Sequence, residues 1–273
     1  MRLTMTMIPV VAIVYLALVL PATAKLPVDE CTIIKNPAAL PKAGVVCANP
    51  ARALIIAERY FDSYEVHTDF RGFQVYTGTY KGKKLFAANT GLGASAAAFL
   101  MEELIAHDAE VIVRLGTNDY NVTEADLNNV YVLKSVRGLW GLPRDYGLPS
   151  DLWGEAIPAD TSLVSTILSV AQQFKNVTAV PSLGYSIDGF YSFFDPVQVA
   201  ARPNTVKDMI LDYQAEGCNC RDMESGAVLM MGKLRGIRTA AVLQAVIKSG
   251  DHHENPGTTG IPIVLQSLLK YAD

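Results

Sequence analysis

The sequence has no low-complexity segment, no repeat at a fixed period and no block of like charges. Only 18% of its 273 residues are charged, and 23 Lys and Arg against 27 Asp and Glu give a net charge of −4. Nucleic-acid binding depends on clustered cations, and the basic residues here are dispersed, so we expect no nucleic-acid partner. Half of the residues are hydrophobic, which excludes a disordered or collagen-like chain and allows a sizeable core.

Cysteine is scarce as well, with four residues at positions 31, 47, 218 and 220. So few cysteines in so long a chain exclude a small disulfide scaffold, although an oxidising compartment would permit pairing. The order of pairing cannot be derived from one sequence. The Cys218-x-Cys220 pair has no second Cys/His pair at zinc spacing, so we expect no metal site.

The first 24 residues differ from the rest of the chain. Arg2 is their only charge, residues 8–20 are apolar apart from Pro9 and Tyr15, and small residues occupy positions 22–24. About 13 apolar residues are too few to span a bilayer of roughly 30 Å. The pattern predicts a signal peptide over 1–24, a single domain over 25–273 and a secreted or extracytoplasmic protein. A membrane anchor, or a misassigned start codon and a cytoplasmic protein, remain alternatives.

Short β-rich runs alternate with segments of helical period along the remaining chain. This alternation predicts an α/β fold, a three-layer α/β/α sandwich with a mixed central sheet. Residues 76–85 should form two antiparallel strands with a tight turn. The predicted strands are 44–48, 73–80, 85–89, 111–115, 130–136, 177–183 and 239–246, and the predicted helices are 94–107, 161–174, 225–235 and 262–271.

Three arginines lie at the ends of predicted strands or beside glycine turns: Arg52, Arg71 and Arg114. A guanidinium at the carboxyl end of a buried strand is costly unless an anion meets it, and ligands of open α/β sheets bind at that end. Asn49 begins a segment that leads into a helix, so backbone N–H groups and Arg52 could bind an oxyanion together. Ordinary ion pairs are the alternative for any one arginine.

Two further segments have the composition of ligand-binding loops. Glu224 precedes an apolar helix, where a carboxylate either complements the helix dipole or accepts two hydrogen bonds from a sugar diol. The adjacent aromatics Phe190 and Tyr191 would stack on a planar base or cap the core. A glycine-containing turn at 89–95 lacks the full dinucleotide-binding pattern.

In this order, the segments resemble the nucleoside phosphorylase family that includes hexameric purine nucleoside phosphorylases and uridine phosphorylases. The similarity runs from about Gly44 to Tyr271. The matching segments are 71–73, 77–82, 113–117, 222–225 and 234–236.

The resemblance implies phosphorolysis of a nucleoside to a free base and a pentose 1-phosphate, by a pentosyltransferase that uses inorganic phosphate as co-substrate and no other cofactor. It assigns Met223 and Glu224 to the ribose, and Asn118, Phe190 and Ile247 to the base. Arg114 and Glu224 become the catalytic residues. It assigns phosphate to Asn49, Arg52, Arg114, Thr117 and to Arg71 reached from a neighbouring subunit, which implies a homodimer or a trimer of dimers.

The chain also departs from the family pattern. Ala48 replaces the glycine of the phosphate loop, and Asn118 and Asp119 stand where small residues are usual, so that Asp119 would bring negative charge towards phosphate or base. Counted without gaps from Gly236, Ile247 stands where purine enzymes have a base-protonating aspartate, and Asp251 follows four residues later. Uridine enzymes are apolar at that point, but their glutamine and arginine for uracil are replaced here by Phe194 and Pro196. The resemblance therefore does not determine purine or pyrimidine specificity. A secreted nucleoside-binding or storage relative with little catalysis is therefore an alternative, and a hydrolytic nucleosidase is a third.

Overall fold

The structure, a computed structural model, describes residues 24–36, 38–138, 141–191, 205–247 and 258–273, with only the backbone of 205–207. Residues 1–23 of the predicted signal peptide lie outside the described residues. Among the described residues, no helix has the length and apolarity to cross a membrane.

The described strands form one mixed sheet in the order β2-β3-β4-β1-β5-β10-β6-β8-β9, with β7 paired to β6. Strands β4, β1, β5 and β10 run parallel, so their carboxyl ends meet at one edge of the sheet. Strand β10 pairs antiparallel with β6, where the sheet changes direction. The strands are β1 (Ala43–Cys47), β2 (Ser63–Phe70), β3 (Phe73–Tyr80), β4 (Lys83–Asn89), β5 (Val111–Asn118), β6 (Asn129–Arg137), β7 (Ile157–Pro158), β8 (Thr178–Ser186), β9 (Cys220–Asp222) and β10 (Arg238–Ala245).

Helices cover both faces of this sheet, which confirms the predicted three-layer α/β/α sandwich with a mixed central sheet. Apolar residues of α1, α4 and α7 join one core with Val45, and those of α2 and α6 join the other core with Val46. Successive side chains of a strand point to opposite faces, so a wholly apolar strand supplies both cores. The helices are α1 (Pro50–Tyr60), α2 (Ala94–Ala106), α3 (Gly141–Asp145), α4 (Thr161–Ala171), α5 (Thr205–Ala215), α6 (Ser225–Arg235) and α7 (Ile261–Leu268).

Local signals in the sequence set several of these boundaries. The Asp160 side chain caps α4 by accepting a hydrogen bond of 2.7 Å from the Leu163 N–H. Gly236 ends α6 in the left-handed conformation, with φ of 70°. The predicted hairpin over 76–85 is present, since β3 and β4 pair antiparallel.

Strands β2, β7 and β9 were not predicted, and β7 has only two residues. Six of the eight residues of β2 are exposed, and its register against β3 shifts between Val66 and Thr68, so the strand lacks a clean apolar alternation. Strand β9 has only three residues. Short or exposed strands form because a neighbouring strand provides hydrogen-bond partners, and the local hydrophobic pattern of the sequence contains no information about that neighbour.

The segment before β1 is attached to helix α2 by one buried carboxylate. Glu103 accepts hydrogen bonds from the backbone N–H groups of Thr32, Ile33 and Ile34, at 2.7 to 3.0 Å. Glu103 is only 2% exposed. A buried carboxylate requires such donors, and three successive N–H groups supply them.

Candidate functional site

A cavity of about 630 Å³ opens where β1 and β5 end. The residues after β8 and the residues between β9 and α6 complete its wall. The position agrees with the rule that ligands of open α/β sheets bind at the carboxyl ends of parallel strands. The lining residues are Ala48, Asn49, Pro50, Arg52, Leu92, Arg114, Gly116, Thr117, Asp119, Ile187, Phe190, Tyr191, Arg221, Asp222, Met223 and Glu224.

Seven of the ten predicted site residues line this cavity, although they come from distant parts of the chain. They are Asn49, Arg52, Arg114, Thr117, Phe190, Met223 and Glu224. The other three, Arg71, Asn118 and Ile247, are not among its described lining residues. The roles that the resemblance assigned to all ten stay predictions.

Arg114 and Glu224 form a buried ion pair at the centre of the cavity wall. The Nη2 of Arg114 donates to Oε2 of Glu224 at 2.5 Å, and both side chains are at most 4% exposed. The other carboxylate oxygen, Oε1, accepts from the Gly93 N–H at 2.7 Å. Gly93 has φ of 88°, a conformation that favours glycine, so the glycine turn at 89–95 directs a backbone donor at this carboxylate.

The electrostatics of this pair follow from its burial. Burial raises the pKa of Glu224, the charge of Arg114 counteracts this shift, and the carboxylate of Asp222 adds to it. For Arg114, burial opposes the charged form, but Glu224 and Asp222 together raise its pKa above the ordinary value. Arg114 therefore remains a cation in the cavity wall.

Asp222 holds the other side of the Arg114 guanidinium. Its Oδ2 accepts from Nε of Arg114 at 2.8 Å and from the N–H and Oγ–H of Ser225 at 2.9 and 2.5 Å. Its Oδ1 accepts from Ser186 Oγ at 2.7 Å. The Nη1 of Arg114 is buried and has no hydrogen-bond partner among the described residues. Since a buried donor without a partner is unfavourable, this atom is a candidate donor for a bound ligand.

Arg52 contributes a second buried cation from the first turn of α1. It is 2% exposed, and its Nη1 donates to the carbonyl oxygen of Leu115 at 2.8 Å. Burial lowers the pKa of Arg52, and the nearby charge of Arg114 lowers it further. The helix begins here because Pro50 occupies its first position and Asn49 Oδ1 accepts from the Ala51 N–H at 2.9 Å.

Asp119, which the sequence placed near phosphate or base, is neutralised by Arg221. The Nη2 of Arg221 lies 2.8 Å from Oδ1 of Asp119, and the two side chains are 12% and 17% exposed. The Arg221 guanidinium lies 5.7 Å from the ring centroid of Tyr120 and 5.9 Å from that of Phe190. Sequence reasoning overlooked Arg221, although it directly precedes the matching segment 222–225.

The three predicted residues outside the cavity occupy other surroundings. Arg71 is exposed in the turn between β2 and β3, with φ of 54°. Asn118 is fully buried, and its Oδ1 accepts from the Arg221 N–H at 2.9 Å, so it supports the wall rather than lining it. Ile247 is 39% exposed and immediately precedes residues that the structure does not describe.

The four cysteines are buried free thiols, so none of them is paired. Burial raises the pKa of Cys47 to about 11 and that of Cys220 to about 12. Within the described ranges, no group of three or more His, Cys, Asp or Glu has an arrangement suited to a metal ion.

Comparison with known proteins gives consistent matches. The model of the phosphorylase superfamily matches residues 42–259. The DeoD-type purine nucleoside phosphorylase of Bacillus subtilis is 39% identical over 70 residues, which are 25% of this chain and 30% of that protein. The alignment with the enzyme of the same name from Chromobacterium violaceum is longer, at 27% identity over 213 residues, 74% of this chain and 80% of the relative.

Two solved structures share the fold at 21% identity. Uridine phosphorylase from Vibrio fischeri has a TM-score of 0.68, with 90% of this chain and 94% of that chain covered. Purine nucleoside phosphorylase from Toxoplasma gondii has a TM-score of 0.67, with 85% and 90% covered. Both proteins therefore have the α/β/α architecture described above.

Proposed function

Because the chain belongs to the phosphorylase superfamily, we propose that it is a nucleoside phosphorylase that transfers a pentosyl group to inorganic phosphate. The observation that carries this proposal is the common cavity of Arg52, Arg114, Thr117 and Glu224. Two buried cations and a hydroxyl suit an inorganic oxyanion, and a buried carboxylate beside them suits the hydroxyls of a pentose.

In the proposed reaction, a phosphate oxygen forms a bond to the anomeric carbon as the bond to the base nitrogen breaks. The base leaves with the electron pair of that bond, and the sugar passes through an oxocarbenium-like state. Arg52, Arg114 and Thr117 bind and orient the phosphate, with Nη1 of Arg114 as a ready donor. Each charge-assisted contact contributes about 1.5–3 kcal/mol.

Glu224 binds the sugar hydroxyls, and its hydrogen bonds to Arg114 and Gly93 fix its orientation before the substrate arrives. A carboxylate has about four acceptor sites, so it can bind hydroxyls while it keeps these two donors. Met223 lies beside it in the wall, and Phe190 provides an aromatic face for the base. The pair of Arg114 and Glu224 thus connects the phosphate subsite to the sugar subsite.

The charge of the cavity supports an additional cation from a second subunit. The described lining contains three arginines and three carboxylates, Arg52, Arg114 and Arg221 against Asp119, Asp222 and Glu224, so it is neutral within one chain. A phosphate dianion would leave this site with excess negative charge. We propose that Arg71, exposed beside the half-exposed Phe70, supplies a cation to a neighbouring site in a homodimer or a trimer of dimers.

The test is base release from uridine, inosine, adenosine and methylthioadenosine, with and without phosphate. Base release that requires phosphate supports the proposal, whereas base release at the same rate without phosphate would indicate a hydrolase. Arg52→Ala should raise the KM for phosphate more than the KM for the nucleoside. Arg59→Ala, an exposed arginine on the same helix, is the matched control and should change neither.

A nucleoside-binding or storage protein with little catalysis is the second candidate. The observation that favours it is the ion pair of Asp119 and Arg221 in the cavity, where the family has small residues. This candidate requires measurable nucleoside binding without base release in the same assay. A storage role also agrees with the proposal that residues 1–24 form a signal peptide and that the protein is secreted, which the mass of the exported chain would test.

A further inference from the structure

Arg221 is the cation of the cavity that the proposed function leaves without a role. Its guanidinium is held in place by the ion pair with Asp119 at 2.8 Å and by the rings of Tyr120 and Phe190 at 5.7 and 5.9 Å. It is only 12% exposed, and it lines the same cavity as Glu224. Phe190 is the residue proposed to face the base, so the Arg221 guanidinium lies beside the base subsite.

A base that leaves a nucleoside carries away an electron pair and becomes an anion unless it is protonated. Ile247, which the resemblance assigned to the base, has an apolar side chain and cannot donate a proton. Among the described residues of the cavity lining, Arg221 is the cation that lies beside Phe190, and its charge can stabilise the leaving anion. A guanidinium has only donors and remains charged at every ordinary pH, so it suits an anionic base rather than a proton transfer.

We propose that Arg221 is a further catalytic residue, which donates hydrogen bonds to the departing base and stabilises its negative charge. This inference rests on the proposed phosphorolysis. The carbon–nitrogen bond breaks, its electron pair stays on the base, and the anion takes a proton from water after it has left. No proton moves from the guanidinium at any step.

The surroundings of Arg221 support a positioned donor. Asn118 accepts a hydrogen bond from the Arg221 backbone N–H at 2.9 Å, and the buried ring of Tyr185 contacts Tyr120 edge to face at 6.1 Å between centroids. These contacts fix both the backbone and the aromatic wall. A donor held in this way stabilises developing charge without reorganisation in the reaction, and removing one such donor lowers kcat by about 100-fold or more.

The experiment compares substrates that differ in how much charge the leaving base must carry. Inosine is paired with 7-methylinosine, whose base leaves as a neutral molecule, and uridine with 5-fluorouridine, whose fluorine stabilises the base anion. Arg221→Met should lower kcat by about 100-fold for inosine or uridine. For 7-methylinosine or 5-fluorouridine, whose bases leave more easily, the same variant should lower kcat by less than about tenfold. Arg221→Lys, which keeps the charge, should recover part of the loss on the ordinary substrate.

Arg238→Met is the matched control, because Arg238 also contacts an aromatic ring, 4.6 Å from the Tyr271 centroid, but does not line the cavity. This variant should leave kcat unchanged for both members of each substrate pair. Equal losses on both members of a pair with Arg221→Met would overturn the inference and indicate a structural role, while phosphate-dependent release by the wild type would still support the proposed function.

A binding measurement separates the two proposals without turnover. Free xanthine or 5-fluorouracil is mixed with the protein over a range of pH values. The ultraviolet spectrum then reports whether the bound base is neutral or anionic at each pH. We expect the wild type to bind the anion at lower pH than Arg221→Met does. This result in a protein that cleaves no nucleoside would reject phosphorolysis and retain the anion site, whereas identical titrations, or no binding of either base, would overturn the inference.

Discussion

Replacing Glu224 with Gln should strengthen phosphate binding while it abolishes turnover. Glu224 is a buried carboxylate that accepts a hydrogen bond from Nη2 of Arg114, and its negative charge offsets one positive charge of the cavity lining. Glutamine keeps the shape and an acceptor for the Gly93 N–H, but it removes the charge. The described lining would change from three cations and three anions to an excess of one cation. Phosphate should bind more tightly because the lining has an excess positive charge, whereas the sugar hydroxyls lose a charged hydrogen-bond acceptor.

The size of the effect follows from Coulomb's law. Two unit charges about 5 Å apart interact by about 3 kcal/mol at an effective dielectric constant of about 20, and by about 1 kcal/mol in water. The removal of one negative charge at that distance should therefore tighten the binding of phosphate by roughly five- to 140-fold for each unit of its charge. For turnover, the loss of a charged hydrogen bond to the sugar costs about 1.5–3 kcal/mol or more.

The assay is calorimetric titration of inorganic phosphate into the wild type and Glu224→Gln, followed by kinetics of base release. Glu102→Gln is the matched control, since Glu102 pairs with Arg235 at the same distance of 2.5 Å but outside the cavity. The control should bind phosphate as the wild type does. Unchanged or weaker phosphate binding by folded Glu224→Gln would refute the reasoning, because Arg114 would then not belong to the anion site.

Three further outcomes are expected. Arg114→Ala should raise the KM for phosphate far more than the KM for the nucleoside, and equal effects on the two would contradict its role. Glu103→Ala should lower the free energy of unfolding in urea by about 2–5 kcal/mol, because the buried N–H groups of Ile33 and Ile34 lose their acceptor, and a change below about 1 kcal/mol would disprove this anchor. Because burial raises the pKa of Cys47 to about 11, its thiol should stay protonated at pH 8 and react with a thiol reagent only after unfolding, whereas rapid labelling of the native protein would contradict its burial.

Most strands of the sheet and most of its helices could be predicted because their signals are local, whereas β2, β7, β9, α3 and α5 were not predicted. Apolar runs such as 111–113 identified strands buried on both faces, and capping residues such as Asp160 and Gly236 identified where helices begin and end. Strand β2 escaped prediction because its residues are largely exposed and its pairing is irregular. Its formation depends on the neighbouring strand β3.

The sequence by itself selected candidate residues for an anion and a sugar, since residue chemistry and the family resemblance together singled out Arg52, Arg114 and Glu224. Only the tertiary structure decided which of these side chains form ion pairs with one another and with other residues of the cavity. Arg114 lies between two carboxylates that follow it by more than 100 positions in the chain, and Arg221 neutralises Asp119 beside the aromatic wall. Ion pairs between segments so distant in sequence depend on strand order and on burial, which remove water and set the separation of charges, and no local pattern contains that information.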